Sequence, residues 1–369
     1  VYLPQGTTQA QAAAVVTAPV VDYAAGLELL DENNALIEDI SAWLVPEGSS
    51  VELGSYRTIH RTCRLRLSYA LDWGIARVRP YMTLTSAAGS FRADLGVFVL
   101  STPSTTSGED LKTWDVEGYD LLEVLSHPHG ATYFVASGVS YLAAVASLCS
   151  VQGLTFVGQA AGDAPTLPSD RLWPIDPDTT TLNIINDLLS AAGYGAIYSD
   201  ASGTLRAAPY QSPADRPVEW TYDADDESTV VGPVRELVAD YFEAPNRWVF
   251  IVDDPEWGNP TEGAGIYTVI NQSDGLTSID ARGRTINRVE RREAANQGAL
   301  ESSGNRTIDA DKRIALEIPG LTVGPNPLHG HFDVVQVTDA ELEFDQKVVV
   351  RSWSLPLDGG DMQLDVRAV

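Results

Sequence analysis

Two stretches of this sequence alternate apolar and polar side chains with a period of two, and few folds accept that pattern. In residues 57–67, Ile59, Cys63, Leu65 and Leu67 fall on one face, and Thr58, His60, Thr62, Arg64 and Arg66 on the other. In residues 77–85, Val78, Met82 and Leu84 share a face. Successive side chains of a strand point to opposite sides, so each run reads as a strand buried on one face and wet on the other. Arg61 interrupts the apolar face and is expected near an edge or an interface. Ser86-Ala87-Ala88-Gly89-Ser90 turns the second run into residues 91–100, a long hairpin. Upstream, residues 27–30 and 35–44 flank the turn residues Asp31-Glu32-Asn33-Asn34 and predict another hairpin. Residues 1–20 are small and polar, and an arm or an edge strand is expected there. Up to residue 102 the chain therefore reads as a small antiparallel β-domain, barrel or sandwich.

A polar linker (residues 101–110) and a strand at 113–119, with Trp114 and Val116 on one face, follow. The period then changes. Tyr141, Leu142, Val145, Leu148 and Cys149 are spaced for an amphipathic helix that stops at Gly153. Leu182, Ile185, Leu188 and Leu189 mark a second helix over about 181–192, with a threonine as N-cap and Gly193 just past its end. Each helix leads into a short β segment, 154–157 and 194–198, a weak internal echo but no repeat array. Residues 194–198 and 204–208 flank the turn Asp200-Ala201-Ser202-Gly203 as a hairpin. Residues 246–252 (NRWVFIV) are apolar on both faces, which predicts a central strand covered on both sides. Strands are expected at 266–270, 285–289, 313–318, 333–337, 347–355 and 362–369, and a short helix at 291–300. The class is β-rich α+β.

At 369 residues the chain has room for about two to three domains. Its 51 acidic and 24 basic side chains give a formal net charge of −27, which disfavours conventional binding to nucleic-acid phosphates. The basic residues are nearly all arginine; the lysines are Lys112, Lys312 and Lys347. Hydrophobic residues make up 44%, enough for packed cores and against a disordered chain. No apolar run approaches the ~20 residues of a membrane span. The first residues carry no basic region followed by an apolar one, so a secretory signal is not expected.

Signatures of chemistry are weak. His127-Pro128-His129 and His329-Gly330-His331 have the i, i+2 spacing that suits a metal on a strand, but proline and glycine place both pairs in turns, and only Asp333 stands near as a further ligand. Asp223, Asp225, Asp226 and Glu227 lack the spacing of a calcium loop and read as a solvated loop. There is no nucleophile elbow, no Walker loop and no dinucleotide fingerprint after a strand. Gly263, Gly265 and Gly283 read as isolated turn glycines. Cys63 and Cys149 are too few for a disulfide scaffold or thiolate cluster and fall on apolar faces, as core residues. The eight tryptophans (43, 73, 114, 173, 220, 248, 257 and 353) do not cluster in sequence, so core and subunit-interface packing is expected of them. No catalytic, cofactor-binding or metal-ligating residue is assigned, and no cofactor is expected.

The order of these features carries a resemblance. After the β-domain and the helix-bearing insertion comes LNIINDLLSAAGYGAIYSDASGTLRAAPY (182–210), a helix running into a hairpin with Asp-x-x-Gly-x-Leu-Arg. Asn246-Arg247-Trp248-Val249 begins a strand. The chain closes with Gly330-His331-Phe332-Asp333-Val334-Val335, then Arg351-Ser352-Trp353-Ser354-Leu355-Pro356-Leu357 and Gly360-Asp361-Met362. From about residue 27 to the end, this series resembles the tail-hub, or minor tail, proteins of long-tailed phages, especially those of actinobacteria. It is also similar in layout to the baseplate hub of contractile tails. His331-Phe332-Asp333 departs from the plain Gly-Asp turn such proteins often show.

The resemblance implies a homotrimer in which each chain contributes two tail-tube-like antiparallel β-barrels, six in all, adapting a six-fold tube to a three-fold tip. The first barrel would span 1–102, the second 206–246 and 310–369, with a helix-containing peripheral domain at 103–205 and 247–309. The implied role is a structural virion protein at the tail tip, assembled in the host cytoplasm and forming part of the DNA-ejection channel without catalysis. Implied partners are the tail tube or distal tail protein, the tape-measure protein and other tip or receptor-binding proteins. No specific nucleic-acid binding is implied: DNA passes through a lumen that must not hold it. Ring formation requires open sheet edges, which long hairpins such as 77–100 are expected to supply. Two other functions stay open at this point, a carbohydrate- or receptor-binding tip module, which predicts exposed aromatic clusters, and a tail-borne cell-wall hydrolase.

Overall fold

A computed structural model describes residues 3–4, 6–73, 77–107, 112–159, 165–225, 236–238, 243–253, 265–312 and 316–369. It is β-rich with a minority of helix, as expected. The first element corrects the reading of residues 1–20: Gln9–Val16 is a helix, α1. The Thr8 hydroxyl accepts the Gln11 N–H at 3.2 Å, and the Gln11 side chain accepts the Thr8 N–H at 2.9 Å. This reciprocal cap satisfies two amides that a helix start leaves orphaned. Ala12 and Val15 are buried in the main core.

Nine strands follow: β1 (Val21–Leu30), β2 (Leu36–Asp39), β3 (Leu44–Gly54), β4 (Arg61–Leu67), β5 (Arg77–Ser86), β6 (Gly89–Asp94), β7 (Phe98–Leu100), β8 (Ser104–Ser107) and β9 (Lys112–Asp120). β1 pairs antiparallel with β5 along its whole length, from Val21↔Ser86 to Leu30↔Arg77. Cys63, Leu65 and Leu67 in β4, and Val78, Met82 and Leu84 in β5, all point into the core as read, but β4 begins only at Arg61: residues 57–60 belong to the turn before it, and His60, expected on the wet face, is buried. The expected strand over 91–100 is broken. Gly96 takes φ +136°, a conformation that side-chain-bearing residues rarely adopt. The break divides the run into β6 and β7, both paired with β5. β9 pairs with β4 and β7, so the sheet runs past residue 102 to Asp120. Gly118 permits the close approach of β9 to β4, since a Cβ there would lie 2.6 Å from Cys63 Sγ. Residues 104–107 of the expected linker are themselves a strand, β8, on the edge of β9.

The helical part comprises β10 (Tyr133–Val135), α2 (Tyr141–Val151), β11 (Phe156–Gly158), β12 (Arg171–Trp173), α3 (Thr181–Ala191), β13 (Tyr198–Ser199) and β14 (Leu205–Ala207). Both helices lie where the 3.6-residue period places them. Thr180 caps α3 by accepting the Asn183 N–H at 3.0 Å, and Gly153 and Gly193 follow α2 and α3 at φ +69° and +79°. Val145 and Cys149 of α2 and Ile185, Leu188 and Leu189 of α3 share a second core.

β15 (Trp220–Asp223) then joins the main sheet, parallel to a strand near the C-terminus. β16 (Arg247–Val252), β17 (Ile266–Ile270) and β18 (Asn287–Arg292) form a three-stranded sheet with β16 in the middle. The short helix α4 (Ile279–Arg282) lies between β17 and β18, and α5 (Gln297–Lys312) follows. β16 is central but covered on one face only: Trp248, Phe250 and Val252 are buried in a third core with Leu300 and Ile308 of α5, while Arg247 is exposed and Val249 and Ile251 half-buried. The helix expected at 291–300 is displaced, because residues 287–292 continue the sheet and α5 begins at Gln297. α5 docks on the helical part: Arg306 donates to the Tyr194 carbonyl at 2.6 Å and to Ser190 Oγ at 3.0 Å.

The chain closes with β19 (Glu317–Val323), β20 (Val334–Asp339), β21 (Phe344–Pro356) and β22 (Met362–Ala368). Residues 313–315, part of an expected strand, lie outside the described residues, as do Asp226, Glu227, Trp257 and Gly263. Residues 352–356 of β21 pair antiparallel with residues 50–54 of β3. The two β blocks therefore belong to one 14-stranded sheet, ordered β15-β20-β21-β3-β4-β9-β7-β5-β1-β2, with β19, β22, β6 and β8 off this path. They also share one core, in which Leu65 and Met82 belong to the same cluster as Val350 and Leu364. Among the described residues the sheet does not close on itself.

Candidate assembly surface

A sheet that stays open ends in backbone groups free to pair with another chain. Among the described residues the path ends at β15 and β2, and the branches β6 and β8 each pair on one side, while β19 pairs with β22 and bridges at Glu317 to Val238. The hairpin expected to supply edges does so only through β6, because β5 is internal, between β1 and the β6–β7 pair. The most open edge is β2. All four of its residues are exposed, and Leu36 and Ile37 keep 55% and 60% of their surface in solvent. An aliphatic pair on a free edge is what folded chains usually avoid unless something covers it. β8 is also exposed along its length, but Ser-Thr-Thr-Ser offers no apolar surface.

Buried ion pairs stiffen the sheet behind β2. Glu28 of β1 is 5% exposed and receives Arg79 Nε at 2.7 Å and Arg92 Nη1 at 2.6 Å. Arg92 also reaches Asp94 at 2.9 Å and lies 3.7 Å above the Tyr81 ring. The hydrogen bond from Arg92 holds the Glu28 carboxyl below the usual carboxylate range, against burial, with Arg79 adding to it. At the root of β2, Asp39 accepts the Ser41 hydroxyl and N–H at 2.5 and 2.9 Å, and these bonds lower its pKa. The edge is thus presented on a rigid support.

Among the described residues, the side chains singled out for possible chemistry lie in separate places, save that His329 meets Asp333. His127 is exposed, and His129 meets Thr181 Oγ1 at 3.0 Å and the Tyr133 ring edge-on at 5.6 Å. His329 is fully buried between the Tyr222 hydroxyl at 2.6 Å and Asp333 Oδ2 at 3.1 Å. Its Nδ1 thus faces a carboxylate and its Nε2 a phenol hydroxyl, inside the fold rather than in a cleft. Among the described residues no three His, Cys, Asp or Glu side chains are placed to hold a metal. Cys63 and Cys149 are buried free thiols; burial raises both pKa values, that of Cys149 to about 12. Asp223 ends β15, and its carboxylate accepts the Asp225 N–H at 3.0 Å. Gly265 and Gly283 take φ +72° and +63° in turns. The seven described tryptophans are all buried or half-buried. Among the described residues the exposed large aromatic side chains are Tyr56, Tyr69 and Phe134, on three separate segments of the chain.

Arg61, expected near an edge or interface, is buried inside the fold. Its backbone N–H donates to Asp120 Oδ2 at 2.7 Å, and its guanidinium to the Leu95 carbonyl at 3.1 Å. Asp120 also accepts the Leu122 N–H at 2.9 Å, and burial pushes its pKa up to about 6. The sequence gives no sign of this joint, nor of the ring contact between His60 and His331, whose centroids are 4.7 Å apart.

No protein-family model and no curated protein matches this sequence. Solved structures do match, nearly end to end. The tail protein from Neisseria meningitidis MC58 superposes with a TM-score of 0.63 at 12% identity, over 94% of this chain and 96% of that one. The 43 kDa tail protein of prophage MuSo2 from Shewanella oneidensis gives 0.60 at 12% identity, over 93% and 98%. The chain has the fold of prophage tail proteins. Tail protein gp18 of a Listeria monocytogenes EGD-e prophage shares it, with a TM-score of 0.52 at 9% identity over 93% and 94%. The resemblance read from residue 27 onward thus agrees with the tertiary structure, at identities where residue matching alone carries little.

Proposed function

We propose that this chain is the structural hub of a phage-type tail. Three copies close a ring at the tail tip, joining the tail tube to the tip proteins and lining part of the channel through which DNA leaves. In this reading the chain performs no catalysis. The observation that carries it is the end-to-end likeness to tail proteins. The open edges, β2 above all, support it, because each is a place for a neighbouring copy to continue the sheet. The first tube-like block ends at Asp120, the second is built from β15 and β19–β22, and the helical part with the β16–β18 sheet stands at the periphery. The net charge of −27 suits a lumen that must pass DNA without holding it. Distal tail, tape-measure and receptor-binding proteins are the proposed neighbours.

Light scattering on the purified chain tests the proposal, with an expected mass three times the 39.7 kDa of one copy. An electron-microscopy average down the long axis is expected to show a three-fold ring around a hole with acidic or neutral walls. A monomer at every concentration, a strongly basic pore, or lysis of peptidoglycan in a zymogram overturns it.

A further inference from the structure

The turn before β20 is held shut by rings. His331 lies between His60, from the loop before β4, at 4.7 Å, and Tyr198, from β13, at 4.9 Å between centroids. The contact joins the second β block, the first β block and the helical part. His60 is 5% exposed and its Nδ1 has no hydrogen-bond partner. His331 is half-buried as a residue, yet both of its ring nitrogens are shielded from solvent and unpartnered. The next residue, Phe332, takes φ +55°, a left-handed conformation costly for a side-chain-bearing residue. Its backbone is restrained from outside: the Phe332 N–H donates to Ser55 Oγ at 3.3 Å, and Arg216 donates to the Phe332 carbonyl at 2.7 Å. Its ring meets Tyr56 edge-on at 5.4 Å. The strained turn persists because these contacts over-determine it.

The charges around the pair are unfavourable to a further cation. From the start of β4, the buried Arg61 faces both imidazoles. From the end of β9, Asp120 is occupied by two backbone N–H groups. On the β13–β14 hairpin, Arg206 is paired with Asp200. On the loop before β15, Arg216 is paired with Glu219. On the turn itself, Asp333 is occupied by His329 and the Gly330 N–H.

We propose that residues 330–333 form an acid-released clasp: a proton taken up by His60 or His331 detaches the turn from the first β block and from Tyr198, while the 14-stranded sheet stays paired. Burial, with the Arg61 charge, lowers His60 from 6.5 to about 4, and burial holds His331 well below the ordinary imidazole value too. An imidazole that regains its ordinary value when the clasp opens shifts the open-to-closed ratio by about thirty-fold between pH 7.5 and pH 5.

Hydrogen exchange read by mass spectrometry, corrected for intrinsic rates, tests this on the whole chain, and it does not require assembly. Protection over residues 54–61 and 330–333 is expected to fall at least about thirty-fold from pH 7.5 to pH 5, while β1, β5 and β21 hold theirs. The double variant His60→Phe/His331→Phe, which keeps rings but cannot titrate, is expected to lose less than about two-fold. Should that variant misfold, exchange at the imidazole C2 position of the wild type decides: His60 and His331 must titrate well below the ordinary imidazole value of about 6.5. Unchanged wild-type protection at pH 5, an equal loss in the double variant, or a His331 that titrates at that ordinary value overturns the clasp.

Discussion

Replacing Trp353 with alanine tests whether the two β blocks are one cooperative unit. Trp353 sits in β21, opposite Leu53 of β3 on one side and Leu364 of β22 on the other, and is 3% exposed. Truncating a buried tryptophan costs about 3–5 kcal/mol, the lost transfer energy plus the cavity left behind. That is a large share of the ~5–15 kcal/mol by which folded domains are stable. The side chain stands where five residue pairs join β3 to β21. The cost should therefore fall on both blocks. In urea, with a slope of about 3 kcal/mol per molar, the midpoint should drop by about 1 M or more in a single transition. In hydrogen exchange, about 4 kcal/mol corresponds to roughly a thousand-fold loss of protection, shared by β21 and by β4, which lies beyond β3 in the sheet. Trp353→Phe keeps most of the apolar volume and should cost distinctly less. Loss of protection in β21 with β4 unchanged, or two separate urea transitions, would refute the reasoning and mean that the blocks are independent domains bridged by a dispensable ladder.

Three more outcomes follow from the same structure. Ile37→Glu on the exposed β2 edge should leave monomer stability within about 0.5 kcal/mol and weaken self-association at least about ten-fold by sedimentation; an unaltered oligomer removes β2 from the interface. Glu28→Gln should cost about 1–2 kcal/mol at pH 7, discounted because Arg92 is partly exposed. Its folded-state pKa is lowered, so its stabilisation is present above the ordinary carboxylate pKa and is lost as pH falls through the lowered value; the gap between wild type and variant in urea must therefore shrink toward pH 3. Asp120 has the opposite sign. Its pKa is raised to about 6, so its contribution is fully present below the ordinary carboxylate value and is lost as pH rises through about 6. Wild type should accordingly gain on Asp120→Asn between pH 7 and pH 4 in thermal denaturation, and a gap that narrows contradicts the burial argument.

Local structure was largely legible where the side-chain period was clean. The alternation around Leu65 and Met82 and the helical spacing around Leu148 and Leu188 led to the observed strands and helices. These signals are carried by the chain's own geometry and need no distant partner. Where reading failed, a local cue was too short or was overridden. Thr8 and Gln11 do form a capping signature, yet an alanine-rich stretch says little about burial until a sheet supplies a surface for Ala12 and Val15. The apolar run at 247–252 suggested two covered faces, but only the packing of α5 decides that one is buried and the other half-buried. Gly96 was one glycine among 30 until its positive φ broke the strand.

By itself, then, the sequence determined the β-rich class, the positions of most strands and of the two amphipathic helices, and a charge ill-suited to holding DNA. The tertiary structure alone decided that β3 and β21 make one sheet of the two blocks, that β2 is left open while the long hairpin is open only at β6, and that His60 meets His331. Periodicity records which side of each segment seeks cover. Which segments cover one another depends on pairings between residues hundreds of positions apart, and those are settled only by the joint packing of the whole chain.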